Sequence, residues 1–158
     1  MTDLHGARVR LRDATDDDIA ALAAIRRHPD VHEHWRGGDD MDVAVREDMA
    51  EHDSTGLVIE VDGAVAGWIQ YSEEADPDYR SAGIDVYLDP ERRDGGLGTD
   101  AVRTLARHLF DDRGHHRITI DPAAHNDRAI ACYHKVGFRD VGILRLAERG
   151  NDGTWHDA

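Results

Sequence analysis

The spacing of apolar residues changes along the chain, and each change marks an element. Val9 and Leu11 alternate with Arg8, Arg10 and Arg12, the period of two expected of a strand with one buried face. From Ile19 the period lengthens, with Leu22, Ala23 and Ile25 at helical spacing until Pro29. Thr15 and Asp18 stand ahead of this run as a capping box would. A weaker helical stretch lies between Asp42 and His52, carried by Val43, Val45, Met49 and Ala50. Residues 31–38, between the two, read as a loop with one tryptophan and two glycines.

The middle of the chain turns to strands. Residues 57–61 and 65–71 flank Asp62-Gly63, a dipeptide suited to the positive φ angles of a tight hairpin turn. Residues 83–88 form a further strand, closed by Asp89-Pro90. After Gly95-Gly96-Leu97-Gly98, the residues Ala101, Val102, Leu105, Ala106 and Leu109 mark a helix that ends near Asp112. A short strand at 117–120 stops at Pro122, and a helix over 127–136 ends at Gly137, placed as a C-cap. Residues 141–146 read as another strand, and 154–158 as the opening of a strand that stops early. The order β α α β β β α β α β β predicts one mixed α+β domain over residues 1–158 and argues against an all-parallel doubly wound sheet.

Charge narrows the partners. Asp and Glu number 33 against 19 Lys and Arg, a formal charge of −14, and such a surface repels phosphate backbones and anionic lipid. Nucleic acid and membranes are therefore poor partners, and a small cationic amine is a compatible one. Cys132 is the only cysteine, so no intrachain disulfide forms. No apolar run has the length of a signal peptide or a spanning helix, and the expected location is cytoplasmic. The 11 histidines include the neighbours His32 and His34, and His115 and His116. They form no His-Glu-x-x-His or paired-cysteine element, so the sequence predicts no metal. A two-fold homodimer is the expected assembly on general grounds alone.

Chemistry concentrates in two segments. The first is Arg93-Asp94-Gly95-Gly96-Leu97-Gly98-Thr99, between a strand and a helix. Glycines let backbone N–H groups approach a phosphate, and the helix that follows adds its positive end. The segment lacks the Gly-Lys-Ser/Thr ending of a nucleotide-hydrolysing loop. Its Gly96-x-Gly98-x-x-Ala101 pattern follows hairpin strands, whereas a dinucleotide fingerprint opens a βαβ series. Taken alone, a plain turn accounts for it equally well. The second segment runs from Asp121-Pro122 through Asn126 to Phe138.

Together, Arg93-x-x-Gly96-x-Gly98 and the later Asn126-x-x-Ala129-x-x-x-Tyr133-x-x-x-Gly137-Phe138 resemble the acyl-CoA-dependent N-acetyltransferases of the GNAT superfamily. Within it the chain is most similar to the aminoglycoside 6′-N-acetyltransferases, through His34-Trp35-Arg36-Gly37-Gly38, Gly83-Ile84-Asp85, Gly96-Leu97-Gly98-Thr99, Asp121-Pro122 and the stretch from Asn126 to Phe138. It departs from them in carrying one tryptophan at the first of these elements and in its short final run. Siderophore-pathway acyltransferases acting on hydroxylysine share much of the pattern.

The resemblance implies the GNAT fold, a twisted mixed sheet splayed between its fourth and fifth strands, with the pantetheine arm of acetyl-CoA in the cleft. Backbone groups of Val86 and Leu88 would pair with that arm. The pyrophosphate would rest on amides from Arg93 to Thr99, which brings in Asp94, Gly95, Gly96 and Gly98, while Asn126, Ala129 and Tyr133 would border the donor.

The implied reaction is direct attack of a primary amine on the thioester in a ternary complex. Asp121 is the first candidate base, Asp85 a binder of the cationic acceptor or a partner in the base role, and Tyr133 a proton donor to the departing thiolate. Trp35 would stack on a sugar face, and Asp152 would add a carboxylate. Each also has a structural reading: Asp121 as a turn residue before proline, Tyr133 as a core aromatic, Asn126 as a helix N-cap and Trp35 as loop packing. The expected function is acetyl transfer to the 6′-amine of an aminoglycoside. A small-amine acyltransferase of the hydroxylysine type and a non-catalytic CoA-binding module stand beside it.

Overall fold

In the computed structural model, which describes residues 1–93 and 95–158, six strands form one sheet in chain order. They are β1 (Asp3–His5), β2 (Val9–Arg12), β3 (Thr55–Val61), β4 (Ala64–Glu74), β5 (Ser81–Leu88) and β6 (Ile118–Thr119). Neighbours from β1 to β5 are antiparallel, and β6 runs parallel to β5. The helices are α1 (Ile19–Arg26), α2 (Pro29–His32), α3 (Met41–Ala50), α4 (Leu97–Asp111) and α5 (Asp127–Val136). A two-stranded ribbon, β7 (Glu148–Arg149) with β8 (Trp155–His156), lies apart from the sheet. Among the described residues, no helix is long and apolar enough to cross a membrane.

The apolar runs of β3 and β4 are continuous because both faces of the sheet are covered. On one face Leu11, Leu57, Ile59, Ile69 and Ile84 pack against Leu97, Ala101, Val102, Leu105 and Leu109 of α4. On the other, Val58, Trp68 and Tyr87 meet Ile19, Leu22, Ile25, Met41 and Val45 from α1 and α3. Each fully buried side chain of this size contributes about 1.5–3 kcal/mol, so the centre of the sheet is its stiffest part. The expected hairpin turn is present, with Asp62 at φ 52° and Gly63 at φ 79°. The capping box of Thr15 and Asp18 is present too, and Arg12 holds the Asp18 carboxylate with two nitrogens at 2.9 Å.

Two features position the cleft. β5 and β6 pair only at Ala82 with Ile118 and Gly83 with Thr119, after which they part; with the unexpected β1 left out of the count, this is the expected opening between the fourth and fifth strands. The start of α4 is pinned by Asp100, whose carboxylate accepts the backbone N–H groups of Ala7, Arg8 and Val9 at 2.9, 2.8 and 2.9 Å.

Three local expectations are corrected. β1 precedes the first expected strand and pairs with it. The loop expected at 31–38 begins inside the short helix α2, which Pro29 opens with its preset φ. Residues 141–146 do not form a strand. Val141, Ile143, Leu144 and Leu146 are exposed, and the backbone pairs only at Leu144, which exchanges two hydrogen bonds with Ala158 at 2.8 and 2.9 Å. Alternation supplies a face, but a strand also needs a neighbour to satisfy its amides, and here that neighbour is one residue long. The terminal backbone is held on its other side as well, where Asp157 accepts the N–H of Ala124.

Asp100→Ala removes three hydrogen bonds to a charged acceptor, and the expected loss of stability is about 1–2 kcal/mol, read by urea unfolding. Burial raises the Asp100 carboxyl, but the amides of Arg8, Val9 and Ala7 outweigh it and hold the group below the usual value. A depressed carboxyl stabilises the fold above its unfolded value of about 4 and ceases to do so as pH falls through the folded value. The wild-type and Asp100→Ala stabilities should therefore converge in strong acid, and a gap that stays constant with pH would contradict this assignment.

Candidate active site

Where β5 leaves β6, a cavity of about 460 Å³ opens between β5, the start of α4 and the first turns of α5. Val86 and Leu88 line one wall, and beyond Gly83 that edge of β5 has no strand partner among the described residues. Opposite lies the N-terminus of α4, entered through Gly95 at φ 95° and Gly96 at φ 77°. Only glycine adopts that conformation without steric cost, and it turns the chain so that the first amides of a 15-residue helix face the cavity. No described side chain caps those amides, and together with the helix dipole they form a site for an anion. A Cβ on Gly98 would stand 3.0 Å from Leu88 and 3.3 Å from the Cys132 sulfur, so this glycine lets α4 approach both β5 and α5.

Gly95, Gly96, Gly98 and Thr99 all line the cavity, as do Asn126, Ala129 and Tyr133. Arg93 lines its mouth, with Nη1 3.4 Å from an Asp30 carboxylate oxygen; Asp94 lies outside the described residues. Asn126 is the N-cap of α5, its side-chain oxygen accepting the N–H of Ala129 at 3.3 Å, so the cap reading and the wall reading both hold. Tyr133 packs edge-on against Phe138. Burial raises its phenol above the ordinary value, and Cys132, Asp85 and Asp121 add to the effect.

The carboxylates form a second group. Asp85 faces Gln70 across β4 and β5. The Trp68 indole N–H donates to the Gln70 side-chain oxygen at 2.9 Å, and the Gln70 amide beside Asp85 favours its ionised form. Burial raises the Asp85 carboxyl, the charge of Asp121 raises it further, Gln70 opposes both, and Glu148 adds a last increment upward. Asp85, Asp121, Glu148 and Tyr133 thus share one electrostatic neighbourhood. Neither Asp85 nor Asp121 belongs to a cavity wall; they act on the wall residue Tyr133 through charge.

A second recess of about 440 Å³ adjoins the first, and His34 lines both. Its walls carry Glu33, His125, Glu148 and Asp152. Asp152 accepts the N–H and the hydroxyl of Thr154 at 2.9 and 2.8 Å. These bonds, with His156, hold its carboxyl down at about 2. Trp35 lines the wall of the first cavity and not the recess, and its packing reading has named partners. Its ring sits edge-on to Tyr87 at 4.8 Å, and its indole N–H points to Asp48 at 3.3 Å. Arg26, almost fully buried, anchors the same Asp48 at 2.9 Å, so this tryptophan is fixed by packing.

Sequence reasoning missed Gln70, Glu33, His125 and Glu148. Gln70 left one signal, a polar residue inside an apolar strand. The others meet only through the fold.

The chain matches the acetyltransferase (GNAT) family over residues 19–138. It is 32% identical over 155 residues to aminoglycoside N(6′)-acetyltransferase type 1 of Klebsiella pneumoniae, covering 86% of this chain and 76% of that protein. It is 31% identical over 137 residues to mycothiol acetyltransferase of Clavibacter sepedonicus, covering 83% of this chain and 41% of that protein. Among solved structures, AAC(6′)-Ib in complex with ribostamycin and coenzyme A superposes with a TM-score of 0.75 at 29% identity, covering 95% and 92% of the two chains. Mycobacterium smegmatis RimJ in complex with CoA-disulfide gives 0.84 at 26% identity, covering 99% and 84%.

The coupling of the two aspartates has a direct readout. Asp121→Asn removes the charge that raises Asp85, so the Asp85 carboxyl, followed by NMR of its side-chain carbon, is expected to titrate at lower pH than in the wild type. An unchanged titration curve would mean the two groups do not interact.

Proposed function

The chain belongs to the GNAT acetyltransferase family, and from that premise we propose that it transfers acetyl from acetyl-CoA to the 6′-amine of an aminoglycoside. That acetyl-CoA is the donor follows from the family. The acceptor reading is carried by one observation, the recess that meets the donor cavity at His34, where the three carboxylates of Glu33, Glu148 and Asp152 outnumber the one arginine, Arg36. A polycation is drawn to such a recess by the carboxylates and, at longer range, by the charge of the whole chain. The 32% identity with the Klebsiella pneumoniae enzyme supports the same acceptor.

The residues of the first cavity suit the donor. Its pyrophosphate rests on the amides at Gly96, Gly98 and Thr99, with Arg93 as counter-charge, and this needs backbone geometry more than side chains. The open edge of β5 at Val86 and Leu88 offers hydrogen bonds to the amides of the pantetheine arm. The acceptor enters from the recess and must shed a proton, since an alkylammonium titrates near 10. Asp121 takes it as the base, and Asp85 beside it binds the cationic amine. The amine nitrogen then attacks the thioester carbon, the C–S bond breaks, and the second proton of the nitrogen passes to the departing sulfur, giving the amide and the free thiol. Tyr133, kept protonated by burial, donates a hydrogen bond to the departing sulfur. Because its phenol is raised well above an ordinary thiol of about 8.5, its main contribution is stabilisation of the thiolate. Trp35 shapes the cavity wall, and Asp152 adds charge to the recess.

The test is thiol release from acetyl-CoA with aminoglycosides that carry or lack a 6′-amine, polyamines, hydroxylysine and N-terminal peptides. Selective turnover of the 6′-amino compounds is expected. Asp121→Asn should lower kcat by about 10²–10⁴-fold, the usual worth of a general base, with the KM for acetyl-CoA little changed. Turnover confined to hydroxylysine or to peptides would overturn the acceptor assignment, and acetyl-CoA binding without turnover of any amine would favour the binding module.

A further inference from the structure

His34 does more than join the two cavities. Its Nε2 lies 4.0 Å from one oxygen of Glu33, and the Nε2 of His125 lies 3.6 Å from the other. One ligand atom from each of Glu33, His34 and His125 falls within 4.8 Å of the others. We propose that these three residues bind a zinc ion across the cleft, where it closes the passage between the acceptor recess and the donor cavity.

The donor set selects the metal. Two imidazole nitrogens and one carboxylate oxygen suit Zn²⁺ and neighbouring late transition ions, whereas Ca²⁺ and Mg²⁺ take oxygen ligands. Zinc bonds of about 2.0–2.1 Å to such ligands place them roughly 3.4 Å apart in a tetrahedron. The present separations, within 4.8 Å, are wider than that figure, and Glu33 and His125, both exposed, are the side chains that would turn to close it.

The backbones beneath them are fixed. Glu33 and His34 donate their N–H groups to Pro29 and Val31 as the chain leaves α2. Asn151, from the ribbon turn, donates its side-chain amide to the carbonyls of His32 and Trp35 on either side of them. His125 precedes the N-cap of α5, in a turn closed by the bond from Asn126 N–H to the Ala123 carbonyl. The ligands therefore come from opposite sides of the cleft, and an ion bound to all three ties α2 to the start of α5. His156 stands next in line, its ring centroid 6.1 Å from that of His125.

Acetyl transfer itself does not use this ion. Its effect is on access: a metal held by His34 occupies the junction an amine must cross. That half of the proposal rests on the acceptor route given above; the metal site itself does not.

Metal-free protein is titrated with Zn²⁺ by calorimetry and with Co²⁺ by visible absorption, in the wild type, His125→Ala, Glu33→Gln and a control, His116→Ala, outside the cluster. The expected result is one Zn²⁺ per chain and a Co²⁺ spectrum of tetrahedral intensity. His125→Ala and Glu33→Gln should each weaken binding by about tenfold or more, and His116→Ala should not. In turnover assays Zn²⁺ should raise the KM for the amine and leave that for acetyl-CoA unchanged, an inhibition reduced in both cluster variants relative to their own metal-free rates. Equal binding by wild type and His125→Ala, or no Co²⁺ spectrum, overturns the site. Binding that the variants abolish, with no effect on the amine KM, overturns the gating and locates the acceptor route away from His34, while the metal site stands.

Discussion

The structure depends on a failure of pairing. β5 and β6 share two residue pairs and then separate, leaving backbone groups near Val86 and Leu88 without a neighbouring strand. Unpaired backbone inside a sheet is costly unless something polar reaches it. The strand cannot bend across to close the gap, because Ile84 and Tyr87 on its two faces belong to the two apolar layers that clamp the sheet. The gap is therefore permanent, and the surrounding elements are arranged about it. α4 points its first amides into it, Gly98 allows α4 to come close enough, and α5 closes the far side with Asn126 and Tyr133.

Around this gap the charges divide. The donor side is electropositive through helix amides and Arg93, and it is built largely from backbone. The recess proposed for the acceptor carries the carboxylates of Glu33, Glu148 and Asp152 against the single arginine Arg36, and it is built from side chains carried on a loop and on the ribbon. Such a division sorts two substrates of opposite charge before either is bound. Asp85 and Tyr133 sit between the halves, and both are raised: Tyr133 chiefly by burial, and Asp85, exposed as a residue, by loss of water around its carboxyl and by the charge of Asp121.

What the sequence made legible follows the same line. The hairpin about Asp62 and Gly63, the helices α4 and α5, the glycine turn and the N-cap Asn126 were readable because each is encoded within a few residues of itself. The first cavity is walled by residues of two such segments. The second recess had no such signal, because Glu33, His125, Glu148 and Asp152 have no common local pattern and meet only once α2, α5 and the ribbon have packed. Trp35 shows the limit in a single residue. Its neighbourhood in sequence left packing and ligand stacking both open, and the side chain its indole meets, Asp48, stands on α3, 13 residues away. The alternation at 141–146 failed for the complementary reason, since it specifies a face and supplies no partner strand.

The bonds from Ala7, Arg8 and Val9 to Asp100 span 93, 92 and 91 residues. During synthesis the turn before β2 emerges early, and its three amides have no acceptor until most of the sheet has been made. Closing a contact of that separation is slow compared with forming a local one. The glycine loop, which Arg8 also touches through the carbonyl of Gly95, thus acquires its shape late and together with the first strands. A growing chain carries one end of this clasp long before it has the other, and the cavity is completed only when α5 adds Asn126 and Tyr133 to the wall.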